Sequence, residues 1–175
     1  MEWNHKQEPF WDEYFQDLSC TLWGRKAICS LSYYNNGQNC QDPLDRFAVA
    51  AEQCLQWLNT HQAEVFAAIE ADGLYNDALE WLDHPETVEE DGVSYVLLYD
   101  GGRVPLPYRK EDFFSSLALG GLSFSADSKS TEFIADMFLC TEPDVFAGHS
   151  IEIFLNGDFG SHTAAYTLKV NGLAG

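Results

Sequence analysis

Apolar and polar residues alternate with period two over residues 19–23 and again over 27–33, the pattern of strands with one buried face. Gly24-Arg25-Lys26 between them reads as a hairpin turn. After a polar loop at 35–39 the period changes. Asp42-Pro43-Leu44-Asp45 is a helix start, with a capping carboxylate, a proline suited to the first turn and an acid that complements the helix dipole. Leu44, Phe47, Ala51, Cys54, Leu55 and Leu58 then recur at helical spacing. A second helical stretch covers 62–82, with Val65, Phe66, Ile69, Ala78, Leu79 and Leu82 as its inner stripe, and Gly73 is placed to split or kink it.

His84-Pro85 is expected to stop that helix, and 86–92 reads as an acidic loop. Residues 93–99 form a strand pattern stopped by Asp100-Gly101-Gly102, and 109–115 read as a short helix. Strand signals follow at 122–125, 132–139, 150–155 and 164–170, broken by Asp127-Ser128, Glu142-Pro143-Asp144 and Asn156-Gly157-Asp158. Residues 1–10 read as a polar lead that frays. Strands and helices segregate along the chain. The expected fold is therefore α+β: one domain over residues 1–175, with an antiparallel sheet built from a hairpin, two helices and a β meander, and the helices packed on one face.

Composition narrows the classes. Hydrophobic residues make up 46 % of the 175, which separates the chain from disordered polyelectrolytes despite a net charge of -19. Nine Lys+Arg against 28 Asp+Glu argue against gripping a nucleic-acid backbone or an anionic membrane. The acidic, aromatic start has no signal-peptide pattern and no apolar run is long enough to span a bilayer, so a cytoplasmic location is expected. The five cysteines have irregular spacings and no C-x-x-C. Cys20, Cys29, Cys54 and Cys140 fall in apolar patterns and read as reduced, buried thiols, with Cys40 the exposed one.

Candidate chemistry is sparse. His149 with Asp144 or Glu152 and Ser150 would supply a general base and a nucleophile, but adjacent strand residues point to opposite faces. The alternative is a histidine that bonds backbone at a strand entrance. His5, His61, His84, His149 and His162 are too scattered for a metal site, and neither Gly101-Gly102 nor Gly120-Gly121 opens a phosphate loop. No catalytic residue, metal or cofactor is therefore expected.

The charge distribution carries more. Residues 61–100 hold eleven acids and no Lys or Arg. Asp77, Glu80, Asp83, Glu86, Glu89, Glu90 and Asp91 form the candidate partner-binding surface, with Tyr75 and Trp81 as candidate aromatic anchors. The plain alternative is a solvated face.

The segment 144–153, with Asp144, Phe146, Gly148-His149-Ser150 and Ile151 leading into a strand, resembles a bacterial family known as domain of unknown function 2262. The Trp23-Gly24 turn, the two helices ending near Trp81 and the closing Asn171-Gly172 extend that resemblance over residues 15–172. It implies a fold and marks Phe146, Gly148 and His149 as motif residues, but it implies no reaction. In size, acidity and aromatic content the chain also resembles immunity proteins of bacterial toxin systems. The expected function is thus a cytoplasmic, non-enzymatic protein that neutralises a basic toxin domain by charge-complementary occlusion. The alternatives are a small hydrolase using His149 and a nearby carboxylate, or an acidic nucleic-acid mimic.

Overall fold

The computed structural model describes residues 2–36, 41–83, 86–161 and 165–175, which form ten strands and four helices. The first hairpin is longer than its sequence alternation suggests. β2 (Asp12–Leu22) and β3 (Arg25–Asn35) pair in register from Asp12↔Asn35 to Leu22↔Arg25. Its turn is Trp23-Gly24 rather than Gly24-Arg25-Lys26. Both residues have positive φ, 50° and 79°, as a two-residue hairpin turn matched to strand twist requires. In the expected polar lead, β1 (Asn4–Gln7) pairs with β2, and Trp3 stacks on Phe47 at 6.2 Å.

α1 (Gln41–Thr60) buries Leu44, Phe47, Ala51, Cys54, Leu55 and Leu58. Its last turn is tied to the hairpin. The Trp23 backbone N–H donates to Asn59 Oδ1 at 2.9 Å, and the Trp23 indole donates to the Leu58 carbonyl at 2.9 Å. Gly73, with φ 91°, ends α2 (Gln62–Asp72) and begins α3 (Leu74–Leu82), which is the expected split. Val65, Ile69, Ala78 and Leu82 face the core, Phe66 is half-buried, and Leu79 is exposed, a correction to the inner stripe.

Residues 86–92 are not a loop. β4 (Thr87–Glu90) and β5 (Val93–Leu97) form a hairpin about Asp91-Gly92, whose φ values of 52° and 78° again suit a two-residue turn. β6 (Arg103–Pro105) completes a separate three-stranded sheet. α4 (Lys110–Ser116) follows, with the Asp112 carboxylate accepting the Arg109 backbone N–H at 3.0 Å.

β7 (Leu117–Asp127), β8 (Glu132–Thr141), β9 (Ser150–Asp158) and β10 (Thr167–Ala174) complete a seven-stranded sheet ordered β1-β2-β3-β7-β8-β9-β10. The sheet is mixed, not wholly antiparallel. β3 and β7 run parallel from Ser30↔Ser123 to Tyr34↔Asp127. The chain leaves β3, crosses the helices and the small sheet, and returns beside it in the same direction, as a long crossover permits. Asn156-Gly157-Asp158 does not break β9. A Cβ at Gly157 would lie 2.4 Å from Phe133 Cζ, so the glycine serves ring packing inside the strand.

The helices lie on one side of the large sheet. Phe47 sits at the centre of the core, fully buried, with the rings of Tyr33, Phe133 and Phe159 within 6.2 Å. Val96 and Val104 of the small sheet belong to the same apolar cluster. No described helix is long and apolar enough to cross a membrane. The exposed-thiol expectation for Cys40, the His84-Pro85 stop, His162 and the first residue of the expected 164–170 strand lie outside the described residues.

Candidate functional site

α3 turns Leu74, Ala78 and Leu82 inward and leaves Glu80 and Asp83 exposed, with Asp77 half-buried on the flank. The two aromatic candidates diverge. The Tyr75 hydroxyl donates to the Tyr108 carbonyl at 3.1 Å and its ring leans on Phe113, so it packs inward. Trp81 lies at the surface, edge-on to Phe146 at 6.1 Å and tilted over His149 at 5.5 Å.

Beyond α3 the acids continue on Glu86 and the β4–β5 hairpin. Strand alternation separates them. Glu89 shares a face with Val96 and Val104, while Glu90 points the other way and pairs with Arg103. Asp91 occupies the turn. The candidate acids thus span a helix face and both sides of a hairpin. Glu70 reaches Lys110 at 2.5 Å, and Glu70 and Glu90 are the acids of residues 61–100 that have a described Lys or Arg partner.

The motif around His149 builds a turn. Ala147 and Gly148 both have positive φ, 51° and 93°, and the Asp144 carboxylate accepts the Gly148 N–H at 2.7 Å. His149 Nδ1 is 3.0 Å from the Phe146 carbonyl, which can only accept, so that nitrogen carries the proton. The Ser150 hydroxyl is 3.3 Å from Cys140 Sγ. Asp144, His149 and Ser150 are each engaged elsewhere, and no relay between them is assembled. Phe146 is buried against Phe113, and the motif anchors the entry to β9.

The thiols are packing groups. Cys29 and Cys54 are buried, Cys20 and Cys140 half-buried, and all four are free. Burial pushes the Cys54 thiol up to about 12. Cys20 and Cys29, diagonal neighbours across the first hairpin, have sulfurs 2.8 Å apart. Among the described residues no three His, Cys, Asp or Glu side chains converge to hold a metal ion.

A cavity of about 670 Å³ beside α1 was not visible in the sequence. Phe133, Phe159 and Tyr166 wall it, and Arg46 donates to the Phe159 carbonyl at 2.9 Å. The Thr131 hydroxyl, then the Gly160 N–H, hold the Asp158 carboxyl at its rim below the usual range. Among its polar groups the Asp158 carboxylate also accepts the Gly160 N–H at 2.6 Å.

Together these features define an acidic α+β protein with two open surfaces: the outer side of α3 with the β4–β5 hairpin, and the side of the large sheet turned away from the helices. Comparison with family models, with curated proteins and with solved structures finds no match.

Proposed function

We propose that this chain is a binding protein that captures a basic protein partner, in the manner of an immunity protein occluding a toxin domain, and performs no chemistry of its own. The observation that carries this reading is the charge of residues 61–100: eleven carboxylates, no Lys or Arg, and Lys or Arg partners supplied from elsewhere to Glu70 and Glu90 alone among the described residues. Concentrated like charge destabilises a fold but accelerates encounter with an oppositely charged partner, to about 10⁸–10⁹ M⁻¹s⁻¹ at low salt. Trp81 and the more exposed Tyr99 are accessible aromatics in this region.

The test is a search for a basic toxin-like reading frame beside the gene, followed by stopped-flow association with its product at 50 and 300 mM NaCl; the absence of such a frame counts against the proposal. Reversing Glu86, Glu89 and Asp91 to Lys should lower the association rate at least tenfold at low salt and flatten its salt dependence. Unchanged rates and an unchanged salt slope overturn the proposal.

A further inference from the structure

The side of the seven-stranded sheet turned away from the helices is a surface of different construction. In an antiparallel sheet with one face on a core, the other face is ordinarily polar. Here the alternation of burial turns Phe15, Ile28, Tyr34 and Ile134 outward, and they are 39 %, 68 %, 38 % and 44 % exposed. Half-buried Phe138 and Phe154 lie on the same face. Between these apolar groups runs a low floor of small side chains, Ser30 and Ser123 opposite each other on the parallel pair, with Ser125 beyond. A bulge in β7 brings Gly120 and Gly121 into that floor. A Cβ at Gly120 would lie 2.7 Å from Cys140 Sγ, so a larger residue would have to push that thiol aside. The result is a depression of about 370 Å³ bounded by Asp17, Ile28 and Phe138.

At the centre of this face lie two acids, with Lys169 of β10 across from Phe154 toward the sheet edge. Asp136 lies opposite Ser123 and Phe154, and Glu152 lies opposite Phe138. The two acids are therefore diagonal cross-strand neighbours on one face, an arrangement that is repulsive in the isolated protein. Asp136 Oδ1 is withdrawn from solvent and has no hydrogen-bond partner among the described residues. Burial, and then Glu152, push the Asp136 carboxyl above the usual carboxylate range. A cation placed here would relieve both the repulsion and the unmet acceptor.

Five strands, β2, β3, β7, β8 and β9, at a spacing of about 4.8 Å and over roughly eight residues of length, give a face on the order of 600 Å², close to the share each partner contributes to an ordinary stable interface. A second copy of this chain would bring acid against acid, and the net charge of -19 opposes nucleic acid and anionic lipid alike. A basic protein fits both the charge and the apolar positions.

We propose that this open sheet face is the docking footprint for a basic protein, one Lys or Arg of which seats on Asp136 and Glu152 while its apolar groups cover Ile28 and Ile134. The inference rests on the reading that the chain captures a basic partner. It assigns the contact to the sheet and leaves α3 and the β4–β5 hairpin as the source of the attracting field.

The test uses the full chain with labelled Ile, Leu and Val methyl groups, titrated with hexa-arginine at 100 mM NaCl. The expected result is a saturable shift of the Ile28 and Ile134 methyls, with affinity reduced at least tenfold in the Asp136→Asn, Glu152→Gln variant. Urea midpoints of both proteins are measured alongside. The substitutions remove like charges, so the variant should be at least as stable as the parent, and weaker binding then reports lost recognition. Saturable shifts at Leu79 and Val93 without shifts at Ile28 and Ile134 overturn the footprint while leaving the binding reading standing. Unchanged affinity in the variant also overturns the footprint. The absence of any saturable shift overturns both.

Discussion

Replacing Phe47 by Ala tests the account of the core most directly. Phe47 is fully buried on α1 and its ring lies 6.2 Å from Trp3, 6.1 Å from Tyr33, 6.2 Å from Phe133 and 5.9 Å from Phe159. It joins the N-terminal lead, β3, β8 and the end of β9 to the first helix. Returning the lost apolar surface to the unfolded-state balance costs about 2–3 kcal/mol. A void of roughly 100 Å³ that failed to collapse would add about 2 kcal/mol at ~24 cal/mol per Å³. Four aromatic neighbours make the wall stiff, so a total of about 3–5 kcal/mol is expected. For a chain of this length each kcal/mol lowers Tm by about 2–4 °C. The assay is urea unfolding followed by tryptophan fluorescence, with Val49→Ala as the control on the same helix. Val49 is 53 % exposed and should cost under about 0.5 kcal/mol. If Phe47→Ala and Val49→Ala differ by less than about 1 kcal/mol, the packing centre assigned here is wrong.

Two further outcomes follow from the titrating groups. Burial and Glu152 raise the folded-state pKa of Asp136, so the folded chain keeps that proton to higher pH than the unfolded chain does. Stability is therefore lost as pH climbs from the unfolded carboxylate range through the folded value, and the loss persists above it. Asp136→Asn should raise the urea midpoint at pH 7, by under about 1 kcal/mol given its partial exposure, and the gap should close near pH 3.5. A less stable variant at pH 7 contradicts the argument. Cys54, with its thiol pushed up to about 12 by burial, should resist iodoacetamide at pH 8 in the native protein and react in urea, as peptide mass spectrometry will report. Native labelling at a rate like that of a free thiol refutes its placement.

What the sequence discloses, and what it hides, follows from where each signal originates. Asp42-Pro43 and the stripe from Leu44 to Leu58 define α1 because capping and helical spacing are local. The parallel neighbour of β3 is not local. It returns as β7 only after the whole crossover, and no turn chemistry announces it. β1 was hidden because an edge strand is kept polar, and Asn-His-Lys-Gln carries no apolar alternation; its anchor is Trp3 on Phe47. β4 was hidden because Thr-Val-Glu-Glu reads as solvated charge, although Asp91-Gly92 was a hairpin signal. Gly157 misled in the other direction: the residue that looks like a turn is a small residue under a phenyl ring. For the candidate surface, the number of acids was legible but their faces were not. Asp136 and Ile28 gave no signal at all, because a residue on the open side of a strand differs from one on the core side only by a register that the tertiary fold sets.

The same register explains why the acid excess and the fold can be considered separately. The ion pairs with Lys or Arg, Lys6–Glu8, Arg25–Glu142, Arg103–Glu90 and Lys110–Glu70, all lie at the surface. Such pairs contribute about 0–1 kcal/mol each and are screened by salt. The apolar cluster around Phe47, Phe113, Phe124 and Phe133 holds the sheet to the helices without them. Nothing in that packing requires residues 61–100 to lack every Lys and Arg, or Asp136 and Glu152 to share a face. Both arrangements oppose folding, one by long-range repulsion and the other by a desolvated like-charge pair. The proposed basic partner would reverse both costs on binding, although they arise in two unconnected parts of the chain.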